Sequence, residues 1–366
     1  MGPEPAKIRP PVMRKQMVRM MRSLPGAPLK TRIIVVFSLL ILGNVAAWAM
    51  AFAAFRNEPV LLGTAFLAYV LGLRHAVDPD HIAAIDNVTR KLMQEGQKPV
   101  TVGFWFALGH STIVVVAAAL LALMAASLND SFEEFKSIGG VIGVSVSAGF
   151  LILIGVFNLM ILSGVWKSFR KARRTGEVCE EDTNALLARR GFLARILRPL
   201  FGLISKPWHM YPLGFLFALG FDTATEISLF GVAAATASNG VSFLDIMCFP
   251  LLFMAGMTLA DTADGVLMLG VYRWAFVKPI RKLFYNLTIT LISVLVAFII
   301  GAVEALGLIG ERLGLEGWFW ELVAGANEQM AFFGFIIVGV FAGVWGLSAL
   351  IYRLGGYDRL EIKIQA

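Results

Sequence analysis

Cysteine is almost missing from this chain: Cys179 and Cys248 are the only two in 366 residues. They stand far apart, in no CxxC or Cys/His spacing, which excludes a disulfide framework and a thiolate metal centre. Charge is scarce too. Asp, Glu, Lys and Arg make up 16% of the residues against 58% hydrophobic, too little polar surface to cover water-soluble globules of this length. No G-x4-G-K-[ST] loop is present, so ATP is not the direct energy source, and no H-E-x-x-H or paired E-x-x-H set supports a hydrolytic or redox enzyme. A net charge of +7 would suggest nucleic acid in a soluble protein. Here the basic residues lie between apolar runs, where they set membrane orientation, and no nucleic-acid partner is expected.

What the chain does have is long apolar runs. Ile33 to Phe55 carries no charge and is long enough to cross a hydrocarbon core of about 30 Å. It exceeds the apolar part of a cleaved signal, usually about 7 to 15 residues, and reads as a retained first helix. Seven further runs fall near Leu61 to Val88, Val100 to Leu128, Ile138 to Trp166, Tyr211 to Ala237, Phe249 to Tyr272, Leu287 to Ile309 and Phe332 to Tyr352. The sequence therefore predicts an all-α, polytopic membrane protein with eight transmembrane helices, I to VIII. Lys and Arg alternate accordingly: 28 lie in the N-terminal segment, the II/III, IV/V and VI/VII loops and the tail, against three in the other loops. Arg90, Lys91 and Lys98 form the II/III group. By the positive-inside rule both termini are cytoplasmic. The chain then divides into a basic cytoplasmic segment 1–32, spans I to IV over 33–166, a basic loop 167–208, spans V to VIII over 209–352, and a tail 353–366. Two stretches, Met13 to Met21 and Leu186 to Lys206, read as interfacial amphipathic helices.

Seven carboxylates nevertheless fall inside the spans: Asp78, Asp80 and Asp86 in II, Asp222 and Glu226 in V, Asp261 and Asp264 in VI. Charged and unpaired, they would cost on the order of 20 kcal/mol. Arg74 is the one Lys or Arg within the spans. The other carboxylates require protonation, water or a bound cation. Three of the four histidines, His75, His81 and His110, sit in spans II and III beside these acids. Imidazole with carboxylate suits a divalent first-row ion such as Ni²⁺, Co²⁺, Fe²⁺ or Zn²⁺, whereas Mg²⁺ or Ca²⁺ would not need the imidazoles. Measured along the helices from the nearest cytoplasmic cations, His75, His110, Asp222 and Asp261 lie about 18 to 24 Å deep, one level near the midplane.

Local spacing groups the side chains further. Asp222 with Glu226, Asp261 with Asp264, His75 with Asp78 and Asp78 with His81 each share a helix face. Pro79, interior to span II, cannot donate a backbone hydrogen bond and displaces the carbonyl of His75, so the helix should break there and leave an acceptor in the cavity.

Arg74-His75-Ala76-Val77-Asp78-Pro79-Asp80-His81-Ile82, with its H-x4-D-H pattern, resembles the second-helix motif of the nickel/cobalt transporter (NiCoT) family of permeases. Leu108-Gly109-His110-Ser111 resembles that family's third-helix motif. Leu219 to Glu226 resembles its fifth, and Gly256-Met257-Thr258 with Asp261-Thr262-Ala263-Asp264 its sixth. Position 79, often Ala in that family, is Pro here. The resemblance implies secondary uptake of Ni²⁺ or Co²⁺ across the cell membrane, with the span II histidines and aspartate essential and the metal as cargo rather than cofactor.

From the residues alone, several roles stay open. Asp78 is a ligand or the partner of Arg74, and His110 a ligand, its supporting residue or a packing group. Asp222, Glu226, Asp261 and Asp264 line a cation path or hold neighbouring helices. Asn158 is a pathway residue or helix glue, and Asp86, close to Arg90, is expected to be structural at the interface. The rival functions are an exporter on the same scaffold, a membrane metalloenzyme and a metal-free organic-cation symporter. Import is favoured because the loop from Lys167 to Lys206 lacks the histidines that related exporters carry. Oligomeric state has no signature in the sequence.

Overall fold

The computed structural model describes residues 28–124, 129–175, 177–179, 203–220, 224–238, 240–275, 279–354 and 363–365. Its helices are α1 (Leu29–Phe55), α2 (Pro59–His75), α3 (Pro79–Gln94), α4 (Val102–Met124), α5 (Asn129–Thr175), α6 (Met210–Phe217), α7 (Ala224–Ser238), α8 (Phe243–Ile246), α9 (Cys248–Ala275), α10 (Pro279–Leu313), α11 (Trp318–Glu328) and α12 (Met330–Leu354). Five are long and apolar enough to cross a membrane, or seven spans if each of two bent pairs counts as one. This is a polytopic helical membrane protein. The Met13 to Met21 stretch, and Leu186 to Lys206 up to residue 202, lie outside the described residues.

The first bent pair is the predicted break. Prolines begin both α2 and α3 at the first helical turn, where a missing N–H costs nothing. The residue before a proline is driven out of the helical region, and Asp78 is extended at φ −66°, ψ 143°. The two halves meet at 51°. One expectation is corrected: the His75 carbonyl is not left open, because the Asp78 N–H donates to it at 3.0 Å.

The second pair joins α11 to the first part of α12 at 74°. Helix α11 has no counterpart among the predicted spans. Within predicted span V, α6 passes into a 3-10 turn at Ala218–Gly220, and α7 begins at Ala224.

Helix α9 lies at the centre, packed on α1, α2, α3 and α4. Glycine lets the backbones approach: a Cβ on Gly72 would fall 2.1 Å from the Phe253 carbonyl oxygen, and one on Gly103 would fall 1.9 Å from that of Asp261. Helix α10 runs along α5. Two short strands, β1 (Glu177–Cys179) after α5 and β2 (Lys363–Gln365) after α12, pair in parallel.

A second correction concerns Arg90 and Lys91. Read as loop cations, they instead lie within α3, and Arg90 is only 1% exposed. The Lys91 ammonium donates to the Ile204 carbonyl.

Candidate metal centre

The break aims three imidazoles at one another. His75 closes α2, His81 lies in the first turns of α3, and His110 projects from α4 one residue after Gly109, whose missing side chain admits the Tyr211 carbonyl. One ring nitrogen from each of the three lies within 4.8 Å of the others. Their ring centroids are 4.7 to 4.8 Å apart. All three are buried, at 1%, 0% and 3% exposure.

Carboxylates surround the rings. His75 Nδ1 lies 2.9 Å from Asp78 Oδ2. Its Nε2 is 2.9 Å from His110 Nε2, which in turn is 2.9 Å from Glu226 Oε1 on α7. His81 Nδ1 contacts Asp261 Oδ2 of α9 at 3.2 Å. Spans II, III, V and VI therefore each contribute. Two donors at right angles around an ion at about 2.1 Å stand about 3 Å apart, the separation of the His75 and His110 nitrogens. His81 Nε2 and His110 Nδ1 have no hydrogen-bond partner among the described residues. Anions buried at this depth are stable when a cation joins them, and neutral imidazoles favour a divalent transition ion over a hard one.

The other sequence-derived candidates stand further off. Asp80 is half-buried in the first turn of α3, within electrostatic range of His75 and His81 but without a hydrogen bond to either. Asp264, one turn along α9, keeps a buried Oδ2 with no partner among the described residues. Arg74 is within electrostatic range of Asp78 but makes no ion pair with it among the described residues, since Asp78 turns to His75 instead. Asp222 lies outside the described residues. Asp86 is fully buried, accepting from the Tyr272 hydroxyl and from Ser293 Oγ at 2.7 Å.

Sequence reasoning passed over Thr225, whose Oγ1 lies 3.1 Å from His75 Nδ1. Its signal was its place next to Glu226 in a predicted span carrying two acids. It also passed over the apolar walls, Phe106 edge-on to His81 and Phe253 against His75.

Orientation of an imidazole by a carboxylate raises its basicity and fixes the nitrogen left for the metal. Replacing Asp261 by Asn is therefore expected to weaken binding of a divalent transition metal about 10- to 100-fold while the protein still folds, as calorimetric titration against the unaltered protein would read.

Residues 61–351 match the family described as High-affinity nickel-transport protein. The chain is 54% identical to the high-affinity nickel transport protein of Cupriavidus necator, over 92% of this chain and 96% of that one. It is 46% identical to the nickel transporter NicT of Mycobacterium tuberculosis, over 80% and 79%. With the cobalt transport protein NhlF of Rhodococcus rhodochrous it shares 36%, over 80% and 83%. No solved structure matches the chain. The family match over most of its length, together with these relatives, makes the chain a member of the high-affinity nickel-transport protein family.

Proposed function

We infer that the protein is a secondary transporter that carries Ni²⁺, or Co²⁺, inward across the cell membrane. The observation that carries this reading is the buried cluster of three imidazoles with Asp78, Glu226 and Asp261 in contact with it. The relatives named for nickel and cobalt transport support the choice of ion.

The ion sheds most of its water, binds His75, His81 and His110 with carboxylate oxygens, and leaves on the other side as the helices around the break rearrange. Asp80 and Asp264 form the approaches to it, and Asp222 belongs by its sequence position to the same cation path. The membrane potential drives a divalent ion inward by about 4.6 kcal/mol per 100 mV, enough for more than about a thousandfold accumulation. Protonation of a ligand assists release, because imidazole and carboxylate must be deprotonated to bind.

For the topology we infer eight crossings: α1, the α2–α3 pair, α4, α5, the α6–α7 segment, α9, α10 and α12. Strands β1 and β2 support it by parity. They pair on one side, and four crossings lie between them. With the basic loops, this argues for both termini in the cytoplasm.

Radioactive nickel uptake tests the reading. Cells expressing the protein are expected to accumulate nickel above controls. Less metal than in controls would mean export, and equal uptake would remove the transport reading.

A further inference from the structure

The inner half of the broken span holds a charge that metal binding does not use. Arg90 lies nine residues, about 13 Å, along α3 from His81. Its Nη2 donates to Asn87 Oδ1 at 2.7 Å, and that oxygen also accepts from Asn158 of α5. Its Nε and Nη1 have no partner among the described residues, although the side chain is 1% exposed. One turn earlier, Asp86 is equally buried, yet both its oxygens are taken by hydroxyls, Tyr272 on α9 and Ser293 on α10.

The two charges lie within electrostatic range of each other and make no ion pair among the described residues. Yet i, i+4 is the spacing at which an acid and an arginine on one helix ordinarily meet. A guanidinium cannot shed its charge, and buried nitrogens without acceptors are unfavourable. A neighbouring arrangement in which Asp86 turns onto Arg90 would satisfy both charges. It would also undo two ties that hold α3 to α9 and α10.

We propose that Arg90 and Asp86 form the inner gate of the transport cycle. In the sealed conformation Tyr272 and Ser293 hold Asp86, which fastens α3 to α9 and α10, while the unpaired guanidinium repels a departing dication. In the inward-open conformation Asp86 pairs with Arg90, so the fastening is released and the repelling charge is neutralised together. Arg90 is thus a positioning residue that never touches the metal. Asn158 takes the role of a tether, holding Asn87 and through it Arg90 against α5. The gate rests on the inward-transport reading above.

The test compares nickel uptake with equilibrium nickel binding for the full chain and four variants: R90Q, R90K, D86N and D86N/R90Q. R90Q and D86N are each expected to bind nickel within threefold of the unaltered protein but to carry it at least tenfold more slowly. R90K, which can still pair with Asp86, stays within threefold in both. The double variant loses no more than the worse single one, because each change removes the same pairing. Uptake by R90Q at the full rate, single losses that multiply in the double variant, or affinity falling in step with uptake would each overturn the gate.

A second measurement does not depend on R90Q accumulating in the membrane. With Cys179 and Cys248 replaced by Ser, a Thr89→Cys probe, buried in this conformation, is labelled with a polar maleimide from the cytoplasmic side. Adding Tyr272→Phe, which frees one oxygen of Asp86, is expected to speed labelling at least fivefold; an unchanged rate contradicts the proposal. An unaltered protein that neither binds nor carries nickel would defeat the transport reading itself. Normal carriage by R90Q would defeat the gate alone.

Discussion

Nickel uptake is expected to disappear when His75 or His81 is replaced by Ala, with equilibrium affinity for Ni²⁺ falling more than about 100-fold. Loss of a residue that merely supports a ligand costs about 10- to 100-fold, and loss of the ligand itself should exceed that. The reason lies in the geometry of the break. His75 Nε2 and His110 Nε2 stand 2.9 Å apart, and His81 is held by Asp261 with its Nε2 unpartnered among the described residues. Removing one ring leaves two nitrogens and a set of buried carboxylates, a weaker donor set for a transition metal than three imidazoles with the same acids. His110→Ala should lose affinity as well. Calorimetric titration of the three purified variants reads the losses directly. A variant that binds nickel as tightly as the unaltered protein would remove that ring from the centre.

The second large effect involves no ligand. A Cβ added at Gly103 would stand 1.9 Å from the Asp261 carbonyl oxygen and 2.4 Å from its carbon, so α4 and α9 must separate at the residue that orients His81. Gly103→Ala is expected to destabilise the protein by about 1 to 3 kcal/mol. Uptake should fall at least about tenfold, because displacements of about 1 Å at a bound group are costly. Gly43→Ala is the control: nothing lies within 4 Å of the added carbon, and alanine is the better helix former. Thermal unfolding and uptake measured side by side for the two variants test the difference. Equal behaviour would mean that the seam yields without disturbing the centre.

The histidines and acids were legible in the sequence because the membrane interior gives charged and ionisable groups so few reasons to be there. His75, His81 and His110 cluster together, and Asp78, Asp261 and Glu226 each contact one of these rings. The break at Pro79 was legible for a covalent reason: a ring that fixes φ and lacks an N–H acts whatever surrounds it. What the backbone did next was not, since Asp78 curls back to cap His75, a choice made by the turn and not by the proline. Asp78 likewise prefers His75 to Arg74, although both candidates are within one helical turn of it in sequence.

Arg90 and Lys91 were read as loop residues because cations at the end of an apolar run ordinarily mark the water boundary. Here α3 continues past them, and they are covered by neighbouring segments, Ile204 among them. Helix α11 escaped notice because its eleven residues include Glu321 and Glu328 and are too short for a crossing. Such tertiary cover has no local signature.

X-ray absorption at the nickel edge of the metal-loaded protein tests the central claim most directly. The histidine cluster predicts a first shell of nitrogen and oxygen at about 2.1 Å. Outer-shell scattering from imidazole should accompany it and weaken in His75→Ala and His81→Ala. An all-oxygen shell without imidazole scattering, identical in the unaltered protein and both variants, would contradict it.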